Sequence, residues 1–225
     1  MIKSIVIDTF TAFQKNDMLD TFAKGTASHN DWKEYGTEII LFIRELQKRG
    51  FTCIGILGYE GSGKTYIMKT LPKDSNIWFN SDGKNPTWQG GREEYGTKTN
   101  PTRYMIIPKT YGDVIGVIDQ VKSKNQLDPE PIAFLMAHIE DYKSADGKQR
   151  QRLKTLGKLP NKLNIEDMFE MCYYTDIAME AGKPVYRLRT NNSGSDTCRT
   201  MEGLHDSYFI PNDGNLILKA LDAYK

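Results

Sequence analysis

The stretch Phe51–Thr65 reads FTCIGILGYEGSGKT. Its first part, Phe51–Leu57, is a short apolar run and predicts a buried strand. The remainder, Gly58-Tyr59-Glu60-Gly61-Ser62-Gly63-Lys64-Thr65, matches G-x-x-x-x-G-K-[ST] at every position. That chemistry needs each part. Glycines let successive backbone N–H groups turn inward around phosphate oxygens. A helix starting there points the positive end of its dipole at the same anion. The Lys64 ammonium neutralises the outer phosphates, and the Thr65 hydroxyl is an Mg²⁺ ligand. Tyr66–Leu71 is expected to continue as helix until Pro72 ends it. The strand–loop–helix context thus predicts a nucleotide site formed by residues 58–66, with Mg²⁺ as its metal.

Such a site needs a second acid, at a strand end, to order the metal's water shell. Two apolar runs end in Asp: SIVID at Asp8 and IGVID at Asp119. Around Asp119, the positions Val114, Ile115, Val117, Ile118 and Val121 follow helical spacing, so Asp119 reads as an exposed helix residue. Asp8 follows a compact β-branched run, as a Walker B strand requires, and is the expected metal-shell acid. The acid-bearing strand then precedes the phosphate loop, which inverts the usual order.

Outward from these motifs, strands and helices alternate. Helical spacing of Ile39, Ile40, Phe42, Ile43 and Leu46 predicts a helix over 31–49, stopped by Gly50. Strands are expected at 76–80, 103–108, 131–138, 185–190 and 206–211. Thr110 is placed to cap a helix. Further helices are expected over 165–181 and 215–224, and loops over 14–30 and 81–102. In the 165–181 helix Met168, Met171, Cys172 and Met179 read as core packing. Alternating strands and helices predict an α/β fold, a mainly parallel central sheet flanked by helices.

The chain has 225 residues and a formal charge of +1, which suits one α/β domain and excludes a histone-like or acidic-tail protein. No apolar run reaches the roughly 18 residues of a membrane helix. MIKSIVIDTF lacks a signal-peptide layout, because Lys3 and Asp8 interrupt its apolar run, and the three cysteines show no pairing or zinc spacing. A cytoplasmic protein (host cytoplasm if phage-encoded) with reduced thiols is expected. The near-neutral total hides one concentration of charge. Residues 143–162 hold seven Lys and Arg against Asp146 alone, a local +6. Lys148, Arg150, Arg152, Lys154 and Lys158 are therefore candidate contacts to a nucleic-acid backbone, in a segment expected to be a loop.

The segments together resemble the RecA-like ATPases of phages, in the group that includes the Sak-type single-strand annealing and recombination ATPases. The matching pieces are IVIDTFTAF with DWKEYGTEIILFIRELQKRG, ILGYEGSGKTYIMKTLP, RYMIIPKTYGDVIGVIDQVK, AFLMAHIEDY, LGKLPNKLNIEDMFEMCYYTDIAM, and PVYRLRT with CRTMEGL. The family order would put residues 1–50 just before Pro131, so the chain resembles a circular permutant of that fold. Strands still pair as usual if the original termini lie close together. One domain is implied: residues 1–50 as Walker B strand and helix, 51–131 as Walker A segment, 132–225 as sensor strand, basic loop and C-terminal elements. The resemblance implies ATP with Mg²⁺, a homo-oligomeric ring or filament, and single-stranded DNA on the loop after the sensor strand. It implies His138 as the γ-phosphate sensor and Arg199 as a finger reaching a neighbouring subunit. The family's catalytic Glu is replaced by the stretch Asn80-Ser81-Asp82-Gly83, which leaves Asp82 as candidate base, with Glu60 and Glu140 as alternatives. Two other readings stand beside this one. A circularly permuted GTPase would carry NKxD ahead of the phosphate loop, and residues 1–57 contain none. A nucleotide-bound scaffold or loader with little turnover would suit the missing Glu.

Overall fold

The computed structural model describes residues 1–8, 29–155 and 164–224 and, over 29–38, the backbone alone. Its centre is a nine-stranded sheet. Strand β1 (Ile2–Asp8) is followed by helix α1 (His29–Lys48) and β2 (Thr52–Gly58). After a 3-10 helix at Lys64–Lys69 come β3 (Asn76–Asn80), the short α2 (Gly91–Tyr95), a two-strand ribbon of β4 (Gly96–Thr97) and β5 (Asn100–Pro101), and β6 (Met105–Ile106). Helix α3 (Tyr111–Ser123) leads to the long β7 (Leu127–Lys143), which turns back as β8 (Gln149–Leu153). The chain ends with β9 (Met171–Glu180), β10 (Lys183–Arg189), β11 (Phe209–Pro211) and α4 (Gly214–Ala223). Among the described residues, no helix is long and apolar enough to cross a membrane.

The sheet order is β11-β10-β9-β2-β7-β1-β3-β6, with β8 paired to β7. From β9 to β6 all neighbours are parallel; β10 and β11 add an antiparallel wing. The parallel strands are covered on both faces, which is why they read as continuous apolar runs rather than alternating ones. Ile5 and Ile7 pack with Ile39, Phe42, Ile43 and Leu46 of α1 and Val114 and Ile118 of α3. Val6, between them, packs in the other cluster, with Ile67 and Met68 of the 3-10 helix, Leu71 just past it, and Ile217 and Leu218 of α4. Helix α3 starts where Thr110 stands: its hydroxyl accepts from the Asp113 N–H, and the Asp113 carboxylate accepts from the Thr110 N–H, a reciprocal capping box. Asp119 lies on this helix and pairs with Arg49 at 2.8 Å.

Several expectations need correction. Residues 165–181 form no long helix: a 3-10 turn at Ile165–Met168 precedes strand β9. Ile165, Met168, Phe169 and Cys172 fit helical spacing, but Met171–Tyr174 are buried on both faces between β2 and β10, the pattern of an interior strand. Met179, expected in the core, is 68% exposed near the tip of the β9–β10 hairpin. The helix after the phosphate loop is a 3-10 helix. Part of the basic segment is not a loop but strand β8, antiparallel to β7. The 81–102 loop contains α2 and the β4–β5 ribbon, and the strand expected over 103–108 is confined to Met105–Ile106. The loop expected over 14–30 falls almost wholly outside the described residues.

Candidate functional site

The parallel strands end at one edge of the sheet, and the predicted residues meet there. Asp8 closes β1 in register with Asn80 of β3; Gly58 closes β2 in register with His138 of β7. Strand β7 lies between β2 and β1. Asp8 is therefore about 10 Å of sheet width from the phosphate-loop strand, at roughly 4.8 Å per strand. Thr65, at the start of the 3-10 helix, bridges this gap: its hydroxyl donates to Asp8 Oδ1 at 3.2 Å. The loop needs glycine at two points. A Cβ on Gly58 would sit 1.8 Å from Thr175 Oγ1, and Gly63 has φ 86° with the Tyr186 ring against its Cα. Ser62 stitches the loop, its hydroxyl bonded to the Tyr59 carbonyl and to Thr175 Oγ1, both at 2.6 Å.

Lys64 is 7% exposed and donates to the carbonyls of Gly58 (2.9 Å) and Tyr59 (2.6 Å). Burial pushes its ammonium down to about 8, against the pull of Asp8, Glu60 and Asp82. His138 Nδ1 lies 3.3 Å from Lys64 Nζ. An ammonium has only donors, so Nδ1 is the acceptor and the ring is neutral, with its proton on Nε2. Burial first, and the Lys64 charge second, lower the His138 pKa accordingly. Asp82 leaves the end of β3 and pairs with the exposed Lys84 at 3.0 Å.

These side chains share a cavity of about 560 Å³, lined by Asp8, Glu60, Gly61, Gly63, Lys64, Thr65, Asp82 and His138. Tyr66, Lys69 and Tyr186 also line it, as do Trp78, Lys84, Asn85, Thr87, Trp88 and Gln89. A volume of this size accommodates a nucleotide. The donors also fit Mg²⁺, a hard cation that takes oxygen ligands and is commonly held by one or two carboxylates plus substrate phosphates. The Thr65 hydroxyl and the Asp8 carboxylate supply such oxygens side by side, and among the described residues no cluster of three acidic, Cys or His ligands competes for a metal.

Not every predicted residue joins the cluster. The Arg199 guanidinium donates to the carbonyls of Glu166 (2.6 Å) and Phe169 (2.8 Å), and its backbone pairs with Cys172. It braces the turn before β9. Glu140 stands on the β7–β8 hairpin, paired with Arg152 at 2.8 Å. Lys148, Arg150, Arg152 and Lys154 all lie on that hairpin or just beyond it; Lys158 lies outside the described residues. Antiparallel pairing sets Glu140 opposite Arg152 and Asp141 opposite Gln151. Residues 139–155 then hold five cations and three acids, so the local charge falls to +2. Arg150 pairs with Asp146 at 3.0 Å. The Arg152 guanidinium lies 4.7 Å from the centre of the Tyr142 ring.

The hairpin is tied to the phosphate loop. Tyr59 donates its hydroxyl proton to Asp141 Oδ1 at 2.6 Å and accepts from Gln151 Nε2 at 2.8 Å. The Lys154 N–H donates to the His138 carbonyl at 2.7 Å. Nothing in the sequence marks Lys84, Trp88 and Tyr186 as neighbours of one cavity. Their only local signal is proximity to Asp82, and Tyr186 has not even that.

No family model matches the chain, and no curated protein matches it.

Proposed function

We propose that the chain is a RecA-like ATPase, permuted in chain order, that binds ATP with Mg²⁺ and contacts single-stranded DNA, in the manner of phage recombination and replication proteins. The observation that carries this reading is the convergence of Lys64, Thr65, Asp8, Asp82 and His138 on one cavity at the ends of adjacent parallel strands. Ligands of open α/β sheets bind in that position. The permuted order is no obstacle, because β1 pairs with β3 and β7 whatever its place in the chain.

In this reading Lys64 leaves the carbonyls of Gly58 and Tyr59 for the outer phosphates. Thr65 and Asp8 would hold Mg²⁺, which would supply positive charge against that of the phosphates. Neutral His138, with its Nε2 proton, is a donor for a γ-phosphate oxygen. Asp82, in the same cavity as Asp8, orients the attacking water once Lys84 is drawn off it. Arg150 and Arg152 exchange their exposed partners, Asp146 and Glu140, for DNA phosphates. Such surface pairs are worth only about 0–1 kcal/mol, so the exchange costs little. A ring or filament of copies remains the proposed assembly; Arg199, bound within its own chain, is given no role in it.

Phosphate release from ATP, measured with and without single-stranded DNA, tests the reading. Turnover that DNA stimulates supports it; absence of ATP binding ends it. The Asp82–Lys84 pair favours a second reading, a nucleotide-loaded scaffold, for which ATP binds and no phosphate is released under either condition.

A further inference from the structure

The phosphate loop and the acids account for the part of the cavity that would hold phosphates and metal. Its other flank is aromatic. Tyr66 and Tyr186 stack there, with ring centroids 5.7 Å apart and planes 19° from parallel. Tyr186 comes from β10, far along the chain, and is seated hard against the loop: a Cβ on Gly63 would lie 2.4 Å from its Cδ1. Asn212 pins the two together, donating from Nδ2 to the Gly63 carbonyl (2.8 Å) and from its backbone N–H to the Tyr186 carbonyl (3.2 Å). Tyr66 completes the stack and is 38% exposed at the cavity wall. The 3-10 geometry of this helix aligns residues three apart. It thereby sets the Lys69 ammonium 5.2 Å from the Tyr66 ring centre.

We propose that Tyr66, backed by Tyr186, is the stacking platform for the base of a bound purine nucleoside triphosphate. This rests on the nucleotide reading of the phosphate loop and adds to it the group that recognises the base. The platform begins two residues past Lys64, on the helix whose start faces the phosphates, so one ligand reaches both. Its outermost contact, a cation over an exposed ring, is weaker than a base stacked on the same ring. Stacking of a base on an aromatic side chain is worth about 1–3 kcal/mol. The base therefore displaces Lys69, which is then free to move toward the ligand's phosphates. A purine covers more of the ring than a pyrimidine, so ATP and GTP bind more tightly than CTP or UTP.

The test is equilibrium titration of the full chain with ATP and, separately, with inorganic tripolyphosphate, which offers the same phosphates and no base. Calorimetry reads the binding directly, in Trp88→Ala as in the unaltered chain. For the unaltered chain ATP binds more tightly than tripolyphosphate. Tyr66→Ala weakens ATP about 5- to 150-fold and leaves tripolyphosphate within about twofold. Tyr66→Phe, which keeps the π face, restores ATP affinity. Equal losses for both ligands in Tyr66→Ala would mean a purely structural tyrosine and overturn the proposal. So would unchanged ATP affinity, or a base effect that appears in Trp88→Ala instead. Failure of the nucleotide reading looks different: the unaltered chain then binds neither ATP nor tripolyphosphate.

Discussion

The two sides of the sheet treat their charges in opposite ways. On the antiparallel wing the arginines have settled internal partners. Arg187 pairs with Asp176 at 2.5 Å and lies over the Phe209 ring; Arg189 pairs with Asp196 at 2.8 Å; Arg199 caps two carbonyls. On the parallel side Lys64, Asp8, Asp82 and His138 come from four separate segments and face a common cavity. Their present partners, loop carbonyls and an exposed Lys84, are ones a ligand can replace. Charged groups thus serve rigidity in one region and binding in the other. The difference is whether the groups close on each other or on space.

The sharpest way to break this contrast is to find that wing substitutions alter binding. Asp196→Ala removes the buried member of the pair, leaves the half-buried Arg189 without its counter-charge and removes the acceptor for the Cys198 N–H. Removing one partner of a buried pair costs about 3–5 kcal/mol. A thermal midpoint lower by roughly 10 °C is expected, at about 2–4 °C per kcal/mol for a chain of this size. ATP affinity of the folded variant stays unchanged.

On the other side, Lys64→Ala weakens ATP by about 100-fold or more, since a charged hydrogen bond to phosphate contributes about 1.5–3 kcal/mol and long-range attraction is lost with it. Its thermal midpoint does not fall, because the ammonium is desolvated in the free chain. The same group sets a pH dependence. Its free-state pKa, lowered to about 8 by burial, rises when phosphates arrive, so binding takes up a proton. ATP affinity is then highest below pH 8 and declines as pH rises through it, by up to about tenfold per unit. Lys64→Ala flattens that slope; calorimetry in buffers of different ionisation heat reads the proton directly.

Smaller effects sharpen the link between the cavity and the hairpin. Tyr59→Phe deletes the bond to Asp141 while keeping the ring, a change of about 0.5–1.5 kcal/mol. Its signature is weaker stimulation of turnover by single-stranded DNA, with ATP affinity itself altered less than about tenfold. Smallest of all, Arg152→Gln on the hairpin lowers the slope of DNA affinity against salt by about one, as expected for one phosphate contact. An unchanged slope would remove Arg152 from the DNA surface.

How far the sequence reads correctly depends on the range of the forces involved. The phosphate loop and the capped helix α3 are legible because each rests on neighbours within a few residues: glycine conformations, an N–H accepted three residues away, a proline stop. The buried runs around Val6, Ile54 and Phe134 are legible because each is an unbroken apolar stretch of strand length. Residues 165–181 mislead because a run buried on both faces carries no period of its own. Ile165, Met168, Phe169 and Cys172 then imitate a helix by chance. The basic segment misleads for a related reason. Its charge is counted along the chain, whereas pairing with β7 brings Glu140 and Asp141 alongside.

By itself the sequence determined the local chemistry. It placed a glycine-rich turn with a phosphate-loop motif at Gly58–Thr65 after an apolar strand, an acid at the end of β1, and an α/β pattern around them. Only the tertiary structure decided which groups meet. Insertion of β7 between β2 and β1 brings His138 to Lys64 and leaves Thr65 to reach Asp8. Seating of β10 puts Tyr186 against Gly63, and the β7–β8 hairpin hands Asp141 to Tyr59. These contacts join residues tens of positions apart. They follow from strand order and register, which are set by the burial of whole faces and by no short stretch of sequence.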